Sequence, residues 1–152
     1  MGWLGLKCVA EAREALGQVA EAHRNHPDVL SVRWTLSAHE RQWDDALRIA
    51  GEELALSPDD ATGWLHRAYA LRRANGGGLI QAWDALLPAA KKFPSEPVIA
   101  YNLSCYACQM QHLDMARHWL QRAVMAGQKE SIKKMALADE DLQPLWPEIE
   151  EL

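Results

Sequence analysis

The amino-acid sequence predicts an all-α protein built from stacked helical hairpins. Three observations support this prediction. Helix-favouring residues such as Ala, Leu, Glu, Arg and Gln are abundant, whereas the strand formers Val, Ile and Thr are sparse. Apolar residues recur at the spacing of one helical face. Short motifs also return at an interval of roughly 34 residues. We therefore expect a single domain over residues 1–152, with a repeat region at 9–127.

Three prolines divide the helical segments at a nearly regular interval. Pro27, Pro58 and Pro94 each follow one predicted helix and precede another. Proline cannot continue a helix, and an adjacent Asp or Ser side chain can cap the next one. The interval therefore predicts repeated pairs of helices.

A second motif lies between these prolines and is centred on an alanine. Ala46, Ala82 and Ala116 recur at nearly the same interval as the prolines, and Ala15 supplies an earlier copy. A small side chain near the start of a second helix allows close approach to the first, because the distance between helix axes depends on the side chains at the contact. Each helical pair is thus expected to pack through its alanine.

The apolar periodicity and the helix-stop residues together give a helix map. Seven helices of the repeat region are predicted near residues 7–25, 28–40, 43–56, 60–74, 79–93, 97–110 and 113–126. A glycine-rich turn at 75–78 should separate the fourth helix from the fifth, and Pro88 should kink the fifth. Gly127 is expected to stop the seventh helix.

The C-terminal segment no longer follows the repeat. Residues 129–137 read as another helix, and residues 139–152 as a short last one interrupted by Pro144 and Pro147. Because the last unit of a repeat array needs a polar outer layer, residues 129–152 are predicted to cap the apolar face of the final repeat.

The motif of these repeats resembles that of the tetratricopeptide repeat (TPR) family. Its best copy begins with a large apolar residue and the pair Leu103-Ser104, and continues with Ala116, Leu120 and Ala123; the preceding copy has Trp64 where the family most often has Trp. The resemblance covers residues 9–127 in about three copies. It implies a right-handed α-α superhelix whose concave face is lined by the first helix of each pair.

This resemblance also implies a function, because such concave faces bind a peptide or a helix of a partner protein. The residues expected to line the groove, in addition to Ser31, are Thr35, His39, Leu65, Tyr69, Arg72, Arg73, Tyr101, Cys105 and Gln109. The groove formed by Tyr69, Arg72 and Tyr101 is expected to be the partner site, since Tyr and Arg are enriched at binding hot spots. As a small acidic chain with about three repeats, the protein also resembles bacterial chaperones of secreted proteins, which is a narrower form of the same hypothesis.

An alternative hypothesis is a metal-dependent or thiol-dependent enzyme centred on Cys105, Cys108 and His112. Their spacing along the chain places these three side chains on one helical face, and zinc accepts Cys and His ligands together. Two helical cysteines are more often small apolar fillers of a groove or core. No phosphate-binding loop, HExxH motif or nucleophile elbow is present. We therefore predict no enzymatic activity, no bound metal and no cofactor.

Composition limits the partners further. The net charge is −5, and basic residues form only isolated doublets, which disfavours nucleic-acid binding. No apolar run reaches membrane-spanning length, so no membrane association is expected. Three cysteines offer no disulfide framework, which favours reduced thiols and a cytoplasmic location. The partner is therefore expected to be a protein or peptide, and the oligomeric state is left open.

Overall fold

The computed structural model describes residues 6–152, and side chains from residue 9 onwards. Within this range the backbone forms helices and no strand, which confirms the all-α prediction. Two short 3₁₀ helices span Glu21–His23 and Glu140–Leu145. The α-helices are α1 (Leu6–Gln18), α2 (Pro27–His39), α3 (Trp43–Leu56), α4 (Ala61–Leu71), α5 (Leu79–Leu86), α6 (Ala89–Lys92), α7 (Pro97–Gln109), α8 (Leu113–Ala126), α9 (Lys129–Leu137) and α10 (Trp146–Glu150).

Most predicted helices lie within a few residues of their expected bounds, and one difference has a local cause. Helix α1 ends at Gln18, earlier than predicted, because Ala20 takes an extended conformation with φ −57° and ψ 142°. The expected kink at Pro88 is confirmed: α5 ends at Leu86, and the four-residue α6 begins after the proline. Proline lacks the N–H that would continue the helical hydrogen bonds.

Side chains cap the starts of α2, α4 and α7, but the expected Asp or Ser cap is found only at α4, whereas His26 caps α2 and Glu96 caps α7. Pro27 and Pro97 occupy the first turn of α2 and α7, where a missing N–H costs nothing. The Asp60 carboxylate caps α4 by accepting a hydrogen bond of 2.8 Å from the backbone N–H of Thr62. Glu96 plays the same role for α7, accepting from the N–H of Val98 at 3.2 Å.

Two hairpins of the fold, α2–α3 and α7–α8, share one geometry. A single offset along the chain brings the bounds of α2 and α3 onto those of α7 and α8, without any insertion or deletion. Each turn places one residue in the left-handed region, Arg41 at φ 58° and Gln111 at φ 68°. The closing backbone bonds also match, at 2.8 Å from Gln42 N–H to Ser37 O and 2.9 Å from His112 N–H to Ala107 O. This is the left-handed C-terminal cap of a helix, adopted twice in the same place.

The described part of the chain divides into two compact units, residues 6–76 and 77–152. The division falls within the glycine-rich turn that the sequence predicts, where Gly76 has φ 71° and Gly78 has φ 151°. On the N-terminal side of the turn, Asn75 is held by two hydrogen bonds. Its backbone N–H and its side-chain amide donate to the Asp44 carboxylate at 2.9 and 2.6 Å. The expected superhelix and the single repeat domain over 1–152 stay predictions.

The core of the first unit lies between α2, α3 and α4. It is formed by Leu30, Trp34, Ala46, Ile49, Ala50 and Ala70. Ala46, the predicted contact alanine, is fully buried. Gly63 lets α4 approach α3, because a Cβ at this position would lie 3.0 Å from the backbone nitrogen of Leu54. Small residues on facing helices therefore set the close packing of this unit.

The core of the second unit is centred on α7, which is buried along most of its length. Ser104 is fully buried and donates to the carbonyl of Ala116 at 2.7 Å, which links the paired helices α7 and α8. The C-terminal segment supplies Leu142, Leu145 and Ile149, each at most 1% exposed. Residues 129–152 thus bury apolar surface of their own against this unit.

Several tryptophans lie between helices. Trp119 is buried, and its ring meets that of Trp83 edge to face at 6.2 Å. The Trp146 indole donates to the carbonyl of Ala136 at 2.9 Å and so helps to hold the C-terminal segment. Trp3 lies outside the described residues. None of the described helices has both the length and the apolar character needed to cross a lipid bilayer.

Candidate protein-binding face

Nine of the ten candidate groove residues fall on equivalent positions counted from the first residues of three helices. Of these, Arg73 lies just beyond the end of α4, and the tenth candidate, Arg72, has no equivalent in the other two helices. We align α2, α4 and α7 by their first residues, which are Pro27, Ala61 and Pro97. With this alignment the candidates form three sets of equivalent residues, namely Ser31, Leu65 and Tyr101, then Thr35, Tyr69 and Cys105, then His39, Arg73 and Gln109. We refer to these positions of each helix as its groove face. The groove faces of α2 and α4 belong to the first unit, and that of α7 belongs to the second.

The groove face of α7 is covered by the chain's own C-terminal segment. Tyr101 is 5% exposed and Cys105 is 4% exposed. The Tyr101 hydroxyl donates to the Asp139 carboxylate at 2.9 Å, and the Cys105 thiol lies 3.6 Å from the same oxygen. The side-chain amide of Gln109 donates to the carbonyl of Asp141 at 3.0 Å. These three candidates therefore contact residues 139–141 of the same unit.

Burial and the adjacent acid make this environment unfavourable for anions. Burial, followed by the charges of Cys105 and Asp139, raises the pKa of Tyr101 well above its ordinary value. The pKa of Cys108 is also raised, mainly by burial and then by the charge of Asp141. A thiol with a raised pKa is mostly protonated at neutral pH and is a weak nucleophile. Tyr101 thus acts as a hydrogen-bond donor to Asp139.

The groove face of α2 is open by comparison. Thr35 and His39 are exposed, and Ser31 is half-buried. The Thr35 hydroxyl donates to the carbonyl of Ser31 one turn earlier, at 2.8 Å, so it is held along the helix surface. Two of the candidate side chains are thus accessible on this unit without any rearrangement.

The groove face of α4 carries an aromatic and cationic cluster. The Arg73 guanidinium stands over the Tyr69 ring at 3.8 Å and over the Trp43 ring at 5.3 Å. It also donates to the Tyr69 carbonyl at 2.9 Å. Tyr69 in turn meets Trp34 edge to face at 5.8 Å. Leu65, Tyr69, Arg72 and Arg73 are all half-buried, so they combine packing with partial access.

Tyr69, Arg72 and Tyr101 were expected to share one groove. Tyr69 and Arg72 lie in the first unit, and Tyr101 lies in the second. Their grouping stays a prediction. Within its own unit, Tyr101 already uses its hydroxyl on Asp139, and Tyr69 supports the stacked arginine.

The alternative metal or thiol site is not assembled in the described residues. Within the part of the chain whose side chains are described, the only group of three or more potential ligands within 4.8 Å of one another is Cys105 with Asp139 and Asp141. Cys105 and Cys108 are buried, whereas His112 is exposed at the start of α8, beyond the turn that ends α7. Asp139 already accepts hydrogen bonds from Tyr101 and from the N–H of Asp141, so hydrogen bonding accounts for its position.

The sequence analysis missed a buried polar cluster in the first unit. Glu53 is 8% exposed, and its Oε2 lies 2.7 Å from Nδ1 of His66. The His66 ring stacks on Trp34 at 3.7 Å with an interplanar angle of 3°. A signal was present, because Glu53 lies two helical turns after Ala46 on the apolar stripe of α3. A charged residue at a core position calls for a partner.

No protein-family model matches this sequence, and no curated protein matches it significantly.

Proposed function

We propose that this chain is a tetratricopeptide-like module that binds a peptide or a helix of another protein through the groove face of its first unit. The observation that supports the proposal is that equivalent residues of α2 and α7 differ in accessibility. Tyr101, Cys105 and Gln109 contact the chain's own residues 139–141. Thr35 and His39, at the second and third of these positions, are exposed.

The residue types on the first unit support this assignment. Tyr69, Arg73 and Trp43 form a stacked cluster that presents aromatic area and a guanidinium with limited side-chain freedom. Trp, Tyr and Arg are the residues most enriched among those that dominate binding energy. A prearranged cluster loses little conformational entropy when a partner arrives.

The repeated hairpin geometry supports the family resemblance. The hairpins α2–α3 and α7–α8 match in helix bounds and in the left-handed turn residues Arg41 and Gln111. The buried alanines Ala46 and Ala116 occupy the same position in the two copies. Stacked helical hairpins of this kind expose a row of first helices, which is the surface that repeat proteins use for binding.

Site-specific photocrosslinking tests the proposal. A benzophenone amino acid replaces Thr35 in one variant and Ala55, an exposed residue of α3, in a matched control. We expect one protein to be crosslinked from the Thr35 position and not from the Ala55 position. Equal crosslinking of that protein from both positions, or none from Thr35, argues against a partner on this face.

The identified partner then permits a quantitative test. The change His39→Glu alters an exposed groove-face residue, and Gln121→Glu alters an exposed residue of α8 in the second unit. We expect His39→Glu to weaken binding by about 1–2 kcal/mol, in the range of an ordinary interface residue. Gln121→Glu should leave the dissociation constant unchanged. The opposite order would place the partner on the second unit.

A further inference from the structure

A cleft in the first unit lies where three helix ends meet. It is bounded by the start of α2, the end of α3 and the start of α4, and its volume is about 190 Å³. The residues that line it are Pro27, Asp28, Ser31, Glu53, Leu56, Ser57, Asp60, Thr62 and Gly63. Drug-sized ligands occupy pockets of about 300–1,000 Å³, so this cleft suits a single side chain or a small molecule.

One of the residues that line this cleft, Glu53, has a buried carboxylate with an oxygen that makes no hydrogen bond. Glu53 is more than nine-tenths buried, and its Oε2 faces Nδ1 of His66 at 2.7 Å. Its Oε1 is buried and has no hydrogen-bond partner. Buried polar atoms almost always have a partner, and a charged oxygen without one is destabilising. A ligand that brings an N–H group to Glu53 would offset that cost.

The charge of the lining selects a cation. Asp28, Glu53 and Asp60 are acidic, and no lysine or arginine is among the lining residues. The pKa of Asp60 is lowered, chiefly by the hydrogen bond from the backbone N–H of Thr62, so this carboxylate is ionised at neutral pH. Negative charge in a narrow cleft attracts cationic ligands.

The helix starts at the cleft do not reverse this preference. A helix N-terminus attracts anions through its free N–H groups. Here Pro27 has no N–H, the N–H of Asp28 lies 3.3 Å from the ring of His26, and the N–H of Thr62 donates to Asp60. The first amides of α2 and α4 are thus already used by capping side chains.

The spacing of the acids favours an organic cation over a metal ion. In the described chain, Asp28, Glu53 and Asp60 do not all bring a ligand oxygen within 4.8 Å of one another, as shared coordination would require. An ammonium group on a flexible stem needs only one close carboxylate, and its three N–H groups can also reach hydroxyls. Ser31 and Thr62 supply hydroxyls, and Leu56 supplies apolar surface for the stem.

We propose that this cleft binds a primary alkylammonium group, with Glu53 as its main acceptor. The ammonium is that of a lysine side chain or of a free alkylamine. The cleft shares Ser31 with the groove face of α2, but binding in the cleft requires no partner on Thr35 or His39.

Titration of the full chain by NMR tests the proposal. The probe is Nα-acetyl-lysine methylamide, and the backbone amides of Thr62 and Gly63 report on the cleft. We expect saturable shifts with this probe and none with the uncharged Nα-acetyl-norleucine methylamide. n-Butylamine distinguishes the two sources: equal affinity assigns the site to free amines, and weaker affinity assigns it to lysine side chains. No saturable shift, or equal shifts with norleucine, overturns the proposal.

Matched variants locate the acceptor. Glu53→Gln removes the buried charge, and Glu52→Gln removes the charge of the adjacent residue, which lies outside the cleft and pairs with Arg48. We expect Glu53→Gln to weaken binding at least about tenfold, as for loss of a charge-assisted hydrogen bond, and Glu52→Gln to weaken it less than about twofold. Equal losses contradict the assignment. If Glu53→Gln fails to fold, Ser31→Ala serves instead, with an expected loss of about threefold.

Discussion

The groove faces of α2 and α7 present equivalent positions of two hairpins whose helix bounds agree throughout, yet they differ in accessibility. On α2, Thr35 is exposed, whereas the equivalent Cys105 on α7 is 4% exposed and lies 3.6 Å from the Asp139 carboxylate. On α7, residues 139–141 of the C-terminal segment contact Tyr101, Cys105 and Gln109. A repeat position thus acquires its role from what packs against it.

A second pair of equivalent residues shows that the two hairpins fill the same buried position with different side chains. Trp34 of α2 is 2% exposed and stacks on His66, whereas Ser104 of α7 is fully buried and bonds to the Ala116 carbonyl at 2.7 Å. The first unit fills this position with aromatic volume. The second unit fills it with a small side chain whose hydroxyl is satisfied by the neighbouring helix. The same backbone geometry therefore accommodates two very different side chains.

The largest expected loss of stability follows from removing Trp34, the buried aromatic residue of α2. Trp34→Ala removes a buried ring and leaves a cavity beside His66 and Tyr69, so we expect a loss of about 3–5 kcal/mol in unfolding free energy. Chemical denaturation followed by circular dichroism measures it. Trp64→Ala is the matched control, because Trp64 is only half-buried in the same unit. A loss for Trp34→Ala no larger than that for Trp64→Ala would show that position 34 does not organise the core.

The next effect concerns the C-terminal segment. Leu142 is fully buried in the second unit, so Leu142→Ala should cost about 2–5 kcal/mol of unfolding free energy. Leu152, which is 42% exposed, provides the control Leu152→Ala with little expected change. Hydrogen exchange of the α7 amides measures the local loss. Unchanged protection of α7 in Leu142→Ala would mean that this segment is not part of the folded unit.

Thiol accessibility tests the comparison of the two faces directly. Cys105 should react with iodoacetamide at least about tenfold more slowly than a cysteine introduced at the equivalent exposed position by Thr35→Cys, because burial hinders attack on the thiol. Peptide mapping by mass spectrometry assigns each rate. Similar rates for Cys105 and Thr35→Cys would contradict the covered groove face of α7.

The pKa of Cys108 is raised by burial, so its reaction with iodoacetamide in the native protein should begin at higher pH than that of an ordinary thiol.

The smallest effect concerns a single hydroxyl. Tyr101→Phe removes the donor to Asp139 and should cost about 1 kcal/mol or slightly more, since the acceptor is charged. Tyr69→Phe is the matched change on the first unit and should be close to neutral. Thermal unfolding of the two variants measures both. A neutral Tyr101→Phe would show that apolar contacts alone hold the segment over α7.

Much of the local structure could be predicted because it depends on short-range chemistry. The sequence analysis placed the break at Pro88 correctly, since a missing N–H acts within one helical turn. It also identified the glycine-rich turn near Gly76, where the two units divide. Cys105 and Cys108 were interpreted as small apolar fillers of a groove or core, and both are buried. These features need only neighbouring residues for their explanation.

The candidate site was less predictable, because exposure depends on distant parts of the chain. Tyr101 and Asp139 are 38 residues apart, and no local pattern indicates that one covers the other. Glu53 and His66 are 13 residues apart and meet only because α3 and α4 pack closely at Gly63. Helical periodicity identified the helix face that carries a residue, but it did not identify the element that would cover that face.

The sequence by itself determined the helices, their turns and the spacing of the two matching hairpins, because helix propensity, proline and apolar periodicity act over a few residues. Only the tertiary structure decided which groove face is covered, which carboxylate is buried and which aromatic ring forms the core of the first unit. Those outcomes depend on contacts between residues distant in the chain. The hydrophobic effect that drives these contacts is non-directional, so the apolar pattern of the sequence does not determine which helix surfaces pack against each other.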